Sequence, residues 1–275
     1  MKLSLSTFVY FRYTLVEAIR RTAALGYDAV ELWGGRPHAY ADDMDTAHLK
    51  EIKSAVQDTG LEISNFIPAQ FRYPVNIAIA DTAIRRGSLD YLKKSIDAAA
   101  ALGAPYASLC PGFSITPQTQ AQGWEILLQS LSELVRYARD MPLTLLLEPA
   151  HRMESDLVIS IDDGLRLVQA LDGGLGLLPD TGHLFVSRES LTDAVAKTAN
   201  IPCHWHIDDN LGASDDHLVP GEGRMEYAAF LRALLQSGYA GSLAVELGFN
   251  YTADPDAAAL KSLLTLRRML TEAGE

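Results

Sequence analysis

Four residues with metal-binding side chains each close a short apolar run. Glu148 ends Leu-Leu-Leu-Glu-Pro, and Asp180 stands in Leu-Leu-Pro-Asp-Thr-Gly-His. His206 lies in His-Trp-His-Ile-Asp, and Glu246 in Ala-Val-Glu-Leu. One carboxylate ending a buried strand is ordinary. Carboxylates or a histidine ending four successive runs are not, because clustered buried anions repel one another and lose hydration unless a cation compensates. Three carboxylates and an imidazole suit one divalent metal ion, with Mn²⁺ expected first and Co²⁺, Ni²⁺, Mg²⁺ or Zn²⁺ as alternatives. His204 and His206 alternate around Trp205, so on a strand both point the same way. One of them can be a ligand, and the other either supports it or fills the interior. His183, three residues after Asp180, opens the next loop and can meet a substrate hydroxyl or simply face water.

These residues need a scaffold that brings successive strand ends to one rim. Short β-type runs read at Leu3–Ser6, Ala29–Leu32, Glu62–Ile67, Tyr106–Leu109, Leu143–Leu147, Leu175–Leu178, Cys203–His206 and Leu243–Val245. Helical periodicity lies between them. Leu15, Ala18, Ile19, Ala23 and Leu25 share a face, and Thr14 with Glu17 has capping-box spacing. Leu89, Leu92, Ile96, Ala99 and Leu102 stripe a longer helix. Gly26, Gly60, Gly103 and Gly238 each stand between a helix and the next strand, as expected of residues that adopt the left-handed conformation freely. Repeated helix–glycine–strand units imply crossovers and a parallel sheet. Eight strands in 275 residues leave about 34 residues per unit, which predicts a single (β/α)8 barrel over residues 1–275. A doubly wound sheet is the alternative, but Ser6-Thr7-Phe8-Val9-Tyr10 carries no dinucleotide-binding glycine fingerprint. In a barrel, strand ends and the loops after them build the active site.

Composition narrows the function. With 23 basic and 35 acidic residues, the net charge of −12 argues against a nucleic-acid surface. No leader and no membrane-length apolar run is visible, and the two cysteines, Cys110 and Cys203, form no pairing pattern, so a cytoplasmic protein is expected.

The order Glu…Asp-x-x-His…His-x-His…Glu over the last four strands resembles the xylose isomerase-like sugar isomerase/epimerase superfamily. Within it the chain is similar to the ketose 3-epimerases acting on tagatose and psicose, and most to the fructoselysine 3-epimerase subgroup. Two loops carry the closer likeness: Glu31-Leu32-Trp33-Gly34-Gly35-Arg36-Pro37-His38-Ala39, and the stretch from Gly212 to Met225, which includes Asp215-Asp216-His217 and Pro220-Gly221-Glu222-Gly223. The resemblance covers essentially the whole chain. It implies that Glu148, Asp180, His206 and Glu246 ligate the metal and that Glu148 and Glu246 are the catalytic acid/base pair. It further implies that Glu154 and His183 contact a small-molecule sugar, with no nucleic-acid or membrane partner, in a homo-oligomer (dimer or tetramer). One departure stands out: Gly212 occupies the position where the psicose and tagatose enzymes carry a substrate-contacting arginine. Arg36 and His38 follow the second strand and either greet a polar substrate tail or solvate the loop. Trp33, Phe66 and Phe113 lie near strand ends and either wall the sugar or pack the core.

The chemistry the resemblance implies is epimerisation at the carbon next to a ketone, C3 of a ketose or a fructosamine-type ketosamine. Inversion needs a base on one face and an acid on the other. Glu148 and Glu246 end strands separated around the barrel, so they can approach from opposite sides. The same pair also serves an aldose–ketose isomerase or an inosose-type dehydratase. An endonuclease IV-like phosphodiesterase needs more histidine ligands and a basic surface, whereas this chain has seven histidines. A non-catalytic sugar-binding barrel is the reading from a different class.

Overall fold

The computed structural model describes residues 1–70 and 74–274. Eight parallel strands curl into a barrel: β1 (Lys2–Ser6), β2 (Ala29–Gly34), β3 (Glu62–Pro68), β4 (Tyr106–Leu109), β5 (Thr144–Leu147), β6 (Leu175–Leu177), β7 (Trp205–Ile207) and β8 (Ser242–Val245). The order of hydrogen-bonded neighbours is β6-β5-β4-β3-β2-β1-β8-β7. Closure falls between β6 and β7, where the Leu177 amide donates to the Pro202 carbonyl (3.0 Å) and the His206 amide to the Pro179 carbonyl (3.1 Å). Pro179 has no N–H to give, so β6 stops there and the seam is a few irregular bonds rather than a ladder. At this seam a Cβ on Gly176 would stand 2.3 Å from the Pro202 carbonyl oxygen, a backbone atom that cannot swing aside, so only glycine lets the strands close.

Helices cover the outside of the barrel: α1 (Leu15–Leu25), α2 (Thr46–Thr59), α3 (Thr82–Leu102), α4 (Gln120–Ala138), α5 (Ile161–Ala170), α6 (Thr181–Val186), α7 (Leu191–Thr198), α8 (Tyr227–Gln236) and α9 (Pro255–Gly274). The runs read as strands are strands, with ends moved by no more than two residues. At α1 the cap differs from expectation. Thr14 accepts the Glu17 amide, but the Glu17 carboxylate turns to Arg21 at 2.7 Å instead of back to Thr14. The reciprocal capping box is at Thr119 and Gln122, starting α4. Apolar helix faces such as Leu127, Leu131 and Leu134 of α4 and Phe230, Leu231 and Leu234 of α8 are buried against the sheet.

The interior of the barrel is polar where it approaches the site. Glu31, Asn65, Ser108, His204 and His206 are all buried. Asn65 donates to Glu31 at 3.0 Å and to Ser108 at 2.6 Å. Glu31 on β2 also meets both histidines of the β7 region, a contact that spans the lumen because β1 and β8 lie between those strands. These bonds converge on Glu31 Oε2 and hold it beneath the rim, while Glu31 Oε1 and Asn65 Oδ1 have no hydrogen-bond partner among the described residues. Among the described residues no helix is long and apolar enough to cross a membrane.

Candidate active site

Three of the four metal-type residues stand just after a strand, and the fourth lies within one. Glu148 follows β5 directly, and its amide bonds the Leu109 carbonyl of β4 at 2.9 Å. Asp180 caps α6, its Oδ1 accepting the His183 amide at 3.0 Å. That leaves Asp180 Oδ2 facing inward. His206 is the middle residue of β7, and Glu246 follows β8. The four converge: one ligand atom from each of Glu148, Asp180, His206 and Glu246 lies within 4.8 Å of the others. His206 Nδ1 is 2.9 Å from Glu246 Oε2 and 3.4 Å from both Glu148 Oε1 and Asp180 Oδ2.

Two of these atoms carry a diagnostic feature. His206 Nδ1 and Asp180 Oδ2 are buried and have no hydrogen-bond partner among the described residues. Three carboxylate oxygens surround Nδ1, but none lies along its in-plane direction well enough to accept a bond. Converging donor atoms left unsatisfied in a dry site suit a cation between them. The far side of the ring is fully engaged, with His206 Nε2 2.9 Å from Glu31 Oε2. This orients Nδ1 toward the cluster as a bare lone pair, an arrangement in which a carboxylate fixes the tautomer of a ligating histidine. His204 Nε2 shares the same Glu31 oxygen at 3.0 Å, so His204 is a supporting residue on the wall of the lumen.

Charge is tightly opposed here. Burial would raise the Glu31 carboxyl, but the His206 charge and the two histidine hydrogen bonds hold it well below the usual carboxylate range. Burial lifts Glu148 above that range despite His206 beside it. Asp180 is lowered, because the nearby His183 and His206 outweigh its burial.

Beside the cluster runs a narrow cleft lined by Gln70, Cys110, Phe113, Glu148, Glu154 and His183 among others. Glu154 and His183 are thus brought to the metal-type residues. The His183 ring donates from Nδ1 to the Pro149 carbonyl at 3.0 Å and turns Nε2 toward Asp215 (3.1 Å) and Glu154 (3.5 Å). Burial pushes Glu154 up to about 7, so near neutrality it can carry a proton. Phe113 supplies an apolar wall of the cleft, whereas Phe66 is fully buried packing.

The residues after β2 form a separate group. Trp33 packs edge-on against Phe8 at 5.1 Å and His38 at 5.6 Å. Arg36 makes a two-pronged pair with Asp43 at 2.6 and 2.8 Å and lies over the Tyr40 ring, turned toward solvent. His38 is buried: Nε2 meets the Tyr10 and Tyr13 carbonyls at 3.1 and 3.2 Å, and Nδ1 meets the Thr7 hydroxyl at 3.2 Å. Among the described residues neither Arg36 nor His38 bonds to the four-residue cluster. The His38 hydrogen bonds are complete for a neutral ring, and burial pushes its pKa down to about 4. The unfolded chain therefore takes up a proton near pH 6.5 that the folded one refuses until about pH 4. Stability is lost as pH falls through that window, by roughly 3 kcal/mol at about 1.36 kcal/mol per unit. Urea titrations of wild type and His38→Asn at pH 7.5 and 4.5 check this. The stability advantage of wild type should shrink by that amount at the lower pH, and an unchanged advantage refutes it.

Comparison with known proteins agrees with the geometry. The chain belongs to the xylose isomerase-like TIM barrel family, whose model matches residues 19–269. It is an enzyme of the isomerase and epimerase kind. A fructoselysine 3-epimerase of Shigella flexneri is 34% identical over 275 residues, covering 99% of both chains. A D-psicose 3-epimerase of Agrobacterium fabrum is 23% identical, covering 83% of this chain and 77% of that one. Among solved structures, a D-tagatose 3-epimerase-like protein superposes with a TM-score of 0.86 at 24% identity, covering 100% of this chain and 98% of its own.

Sequence reasoning assigned no role to Glu31 or Cys110. Glu31 offered one signal, an acidic residue inside an otherwise apolar strand run, Ala-Val-Glu-Leu-Trp. Cys110 Sγ stands 3.8 Å from Glu148 Oε2, and only the fold shows that a thiol faces that carboxylate.

Proposed function

We propose that this enzyme is a divalent-metal-dependent sugar 3-epimerase that inverts the carbon beside the ketone of a ketose or fructosamine-type ketosamine. The observation that carries the reading is the four-residue cluster with the bare, buried Nδ1 of His206 at its centre. Glu148, Asp180, His206 and Glu246 would hold one ion. When bound, that ion supplies Lewis-acid polarisation of the ketone and its neighbouring hydroxyl, which acidifies the C3–H bond.

The rest of the chemistry belongs to the side chains. One of Glu148 and Glu246 takes the C3 proton, and the other returns a proton to the opposite face. Glu154 and His183 position the sugar hydroxyls along the cleft, and Phe113 with its apolar neighbours limits water there. The 34% identical relative named for fructoselysine supports a ketosamine as substrate. Gly212, in place of arginine, agrees with a grip unlike that of the simple-hexulose enzymes.

Incubating the protein with a panel of ketoses and ketosamines in D₂O and Mn²⁺ tests the proposal. Deuterium at C3 with inverted product is expected. Exchange confined to C1 would instead identify an aldose–ketose isomerase, and a product lighter by one water a dehydratase.

A further inference from the structure

The turn after β5 carries a buried histidine that the proposed chemistry does not use. Its backbone builds the turn: the His151 carbonyl accepts the amides of Glu154 at 2.9 Å and Ser155 at 3.0 Å. This places Glu154 on the wall of the cleft. The His151 ring is only 3% exposed. An apolar side chain would fill that space at less cost, because a buried polar ring gives up its hydration. Both ring nitrogens have a task instead.

Nδ1 is an acceptor, since the Met153 amide donates to it at 3.3 Å. A neutral imidazole that accepts at one nitrogen carries its proton on the other. Burial and the neighbouring His183 push the His151 pKa down to about 4, so the ring is neutral near pH 7. The proton is therefore on Nε2, which stands 3.4 Å from Glu154 Oε1. That is a long contact, of the kind that tightens when substrate fills a site. The other oxygen, Glu154 Oε2, lies 3.5 Å from His183 Nε2. His183 Nε2 is nearer Asp215 Oδ2, at 3.1 Å, and His183 Nδ1 donates to the Pro149 carbonyl. The two rings pack edge-on at 5.0 Å and face different oxygens of Glu154. Among the described residues no lysine or arginine pairs with Glu154, so His151 is the group left to hold it.

We propose that His151 is a positioning residue for sugar recognition, its Nε2–H holding Glu154 Oε1 so that Oε2 is presented to a substrate hydroxyl. The kinetic part of this rests on the epimerase reading, in which Glu154 contacts the sugar. The placement of the ring proton does not.

Histidine-specific ¹⁵N labelling, with Mg²⁺ as a diamagnetic ion, reads the ring directly. His151, assigned by the signal lost in His151→Asn, should be neutral with its proton on Nε2 at pH 7. Glu154→Gln should move that Nε2 resonance. Kinetics on the sugar that wild type turns over then separate positioning from packing. Asparagine offers an oxygen near the place of Nδ1 and nothing near Nε2, whereas glutamine reaches the place of Nε2 with an amide N–H. His151→Asn should raise KM roughly 3–10-fold with little change in kcat, the cost of one positioning hydrogen bond, and His151→Gln should restore it. In a Glu154→Gln background His151→Asn should cost nothing further. A ring that merely packs the turn gives the reverse order, with asparagine restoring and glutamine failing, and overturns the proposal. Additive penalties in the double variant overturn it too, as does a proton on Nδ1 or an Nε2 resonance indifferent to Glu154→Gln. Wild type that turns over no sugar refutes the epimerase reading instead, and the two resonance readouts, which need no turnover, then decide His151. Should His151→Asn not fold by thermal melting, His151→Gln assigns the signal and the same two readouts decide.

Discussion

Replacing Glu148 or Glu246 by glutamine should cut the rate of epimerisation by roughly 10²–10⁴-fold, the range that a positioned acid or base contributes. The two variants should also differ from each other in a way a mere loss of activity does not reveal. In a two-carboxylate inversion, each glutamate serves as base for one epimer and as acid for the other. Removing one of them leaves its partner able to abstract a proton from one epimer only and to return it to the same face. Glu148→Gln should therefore wash deuterium into one C3 epimer with retention and leave the other inert, and Glu246→Gln should show the opposite preference. Glutamine keeps an oxygen toward the metal-type cluster, and a metal count on each variant separates lost acid/base chemistry from lost ion. Wash-in to both epimers by both variants would falsify the assignment of this pair. The geometry makes the experiment fair, because Glu148 follows β5 and Glu246 follows β8, and both approach His206 Nδ1, at 3.4 and 2.9 Å.

Much of this site is legible in the chain because strand ends are local features. A short apolar run followed by Glu or Asp marks a strand and its rim residue together, and the barrel topology then forces the rim residues of β5 to β8 into one place. Glu148, Asp180 and Glu246 follow from that rule, and His206 from the His-x-His alternation on the seventh run. What the rule does not reach are contacts across the lumen. Glu31 meets His204 and His206 from a strand more than 170 residues earlier, and no periodicity encodes that distance. The loop after β2 shows the converse. Arg36 and His38 sit where a barrel rim loop begins, yet the nearest partners win them: Asp43 and Tyr40 take Arg36, and three backbone or hydroxyl groups take His38. The same competition moved the capping box, since Arg21 at helical spacing drew Glu17 away from Thr14.

Glu31 gives the second large expected effect, and it is one on metal affinity rather than on proton transfer. Its Oε2 receives both His204 and His206 in a fully buried setting, with Asn65 as a third donor at 3.0 Å. This single carboxylate therefore fixes the His206 ring and selects the tautomer that bares Nδ1. Glu31→Gln preserves size but replaces an oxygen pair that only accepts by an amide that also donates. If the amide oxygen replaces Oε2, it accepts the same bonds without the negative charge, and the imidazole becomes a poorer ligand. If the amide nitrogen turns that way, it opposes the histidine donors directly. Either outcome should weaken Mn²⁺ binding by about 10–100-fold, the usual cost of losing such a supporting carboxylate. Glu31→Ala should do more, lowering stability by about 3–5 kcal/mol, because it leaves buried donors without a partner. Isothermal titration with Mn²⁺ on Glu31→Gln, paired with urea unfolding of the metal-free protein, separates the two effects. Unchanged Mn²⁺ affinity in a folded Glu31→Gln protein would show that the His206 ring is held by the backbone of β7 and not from across the barrel.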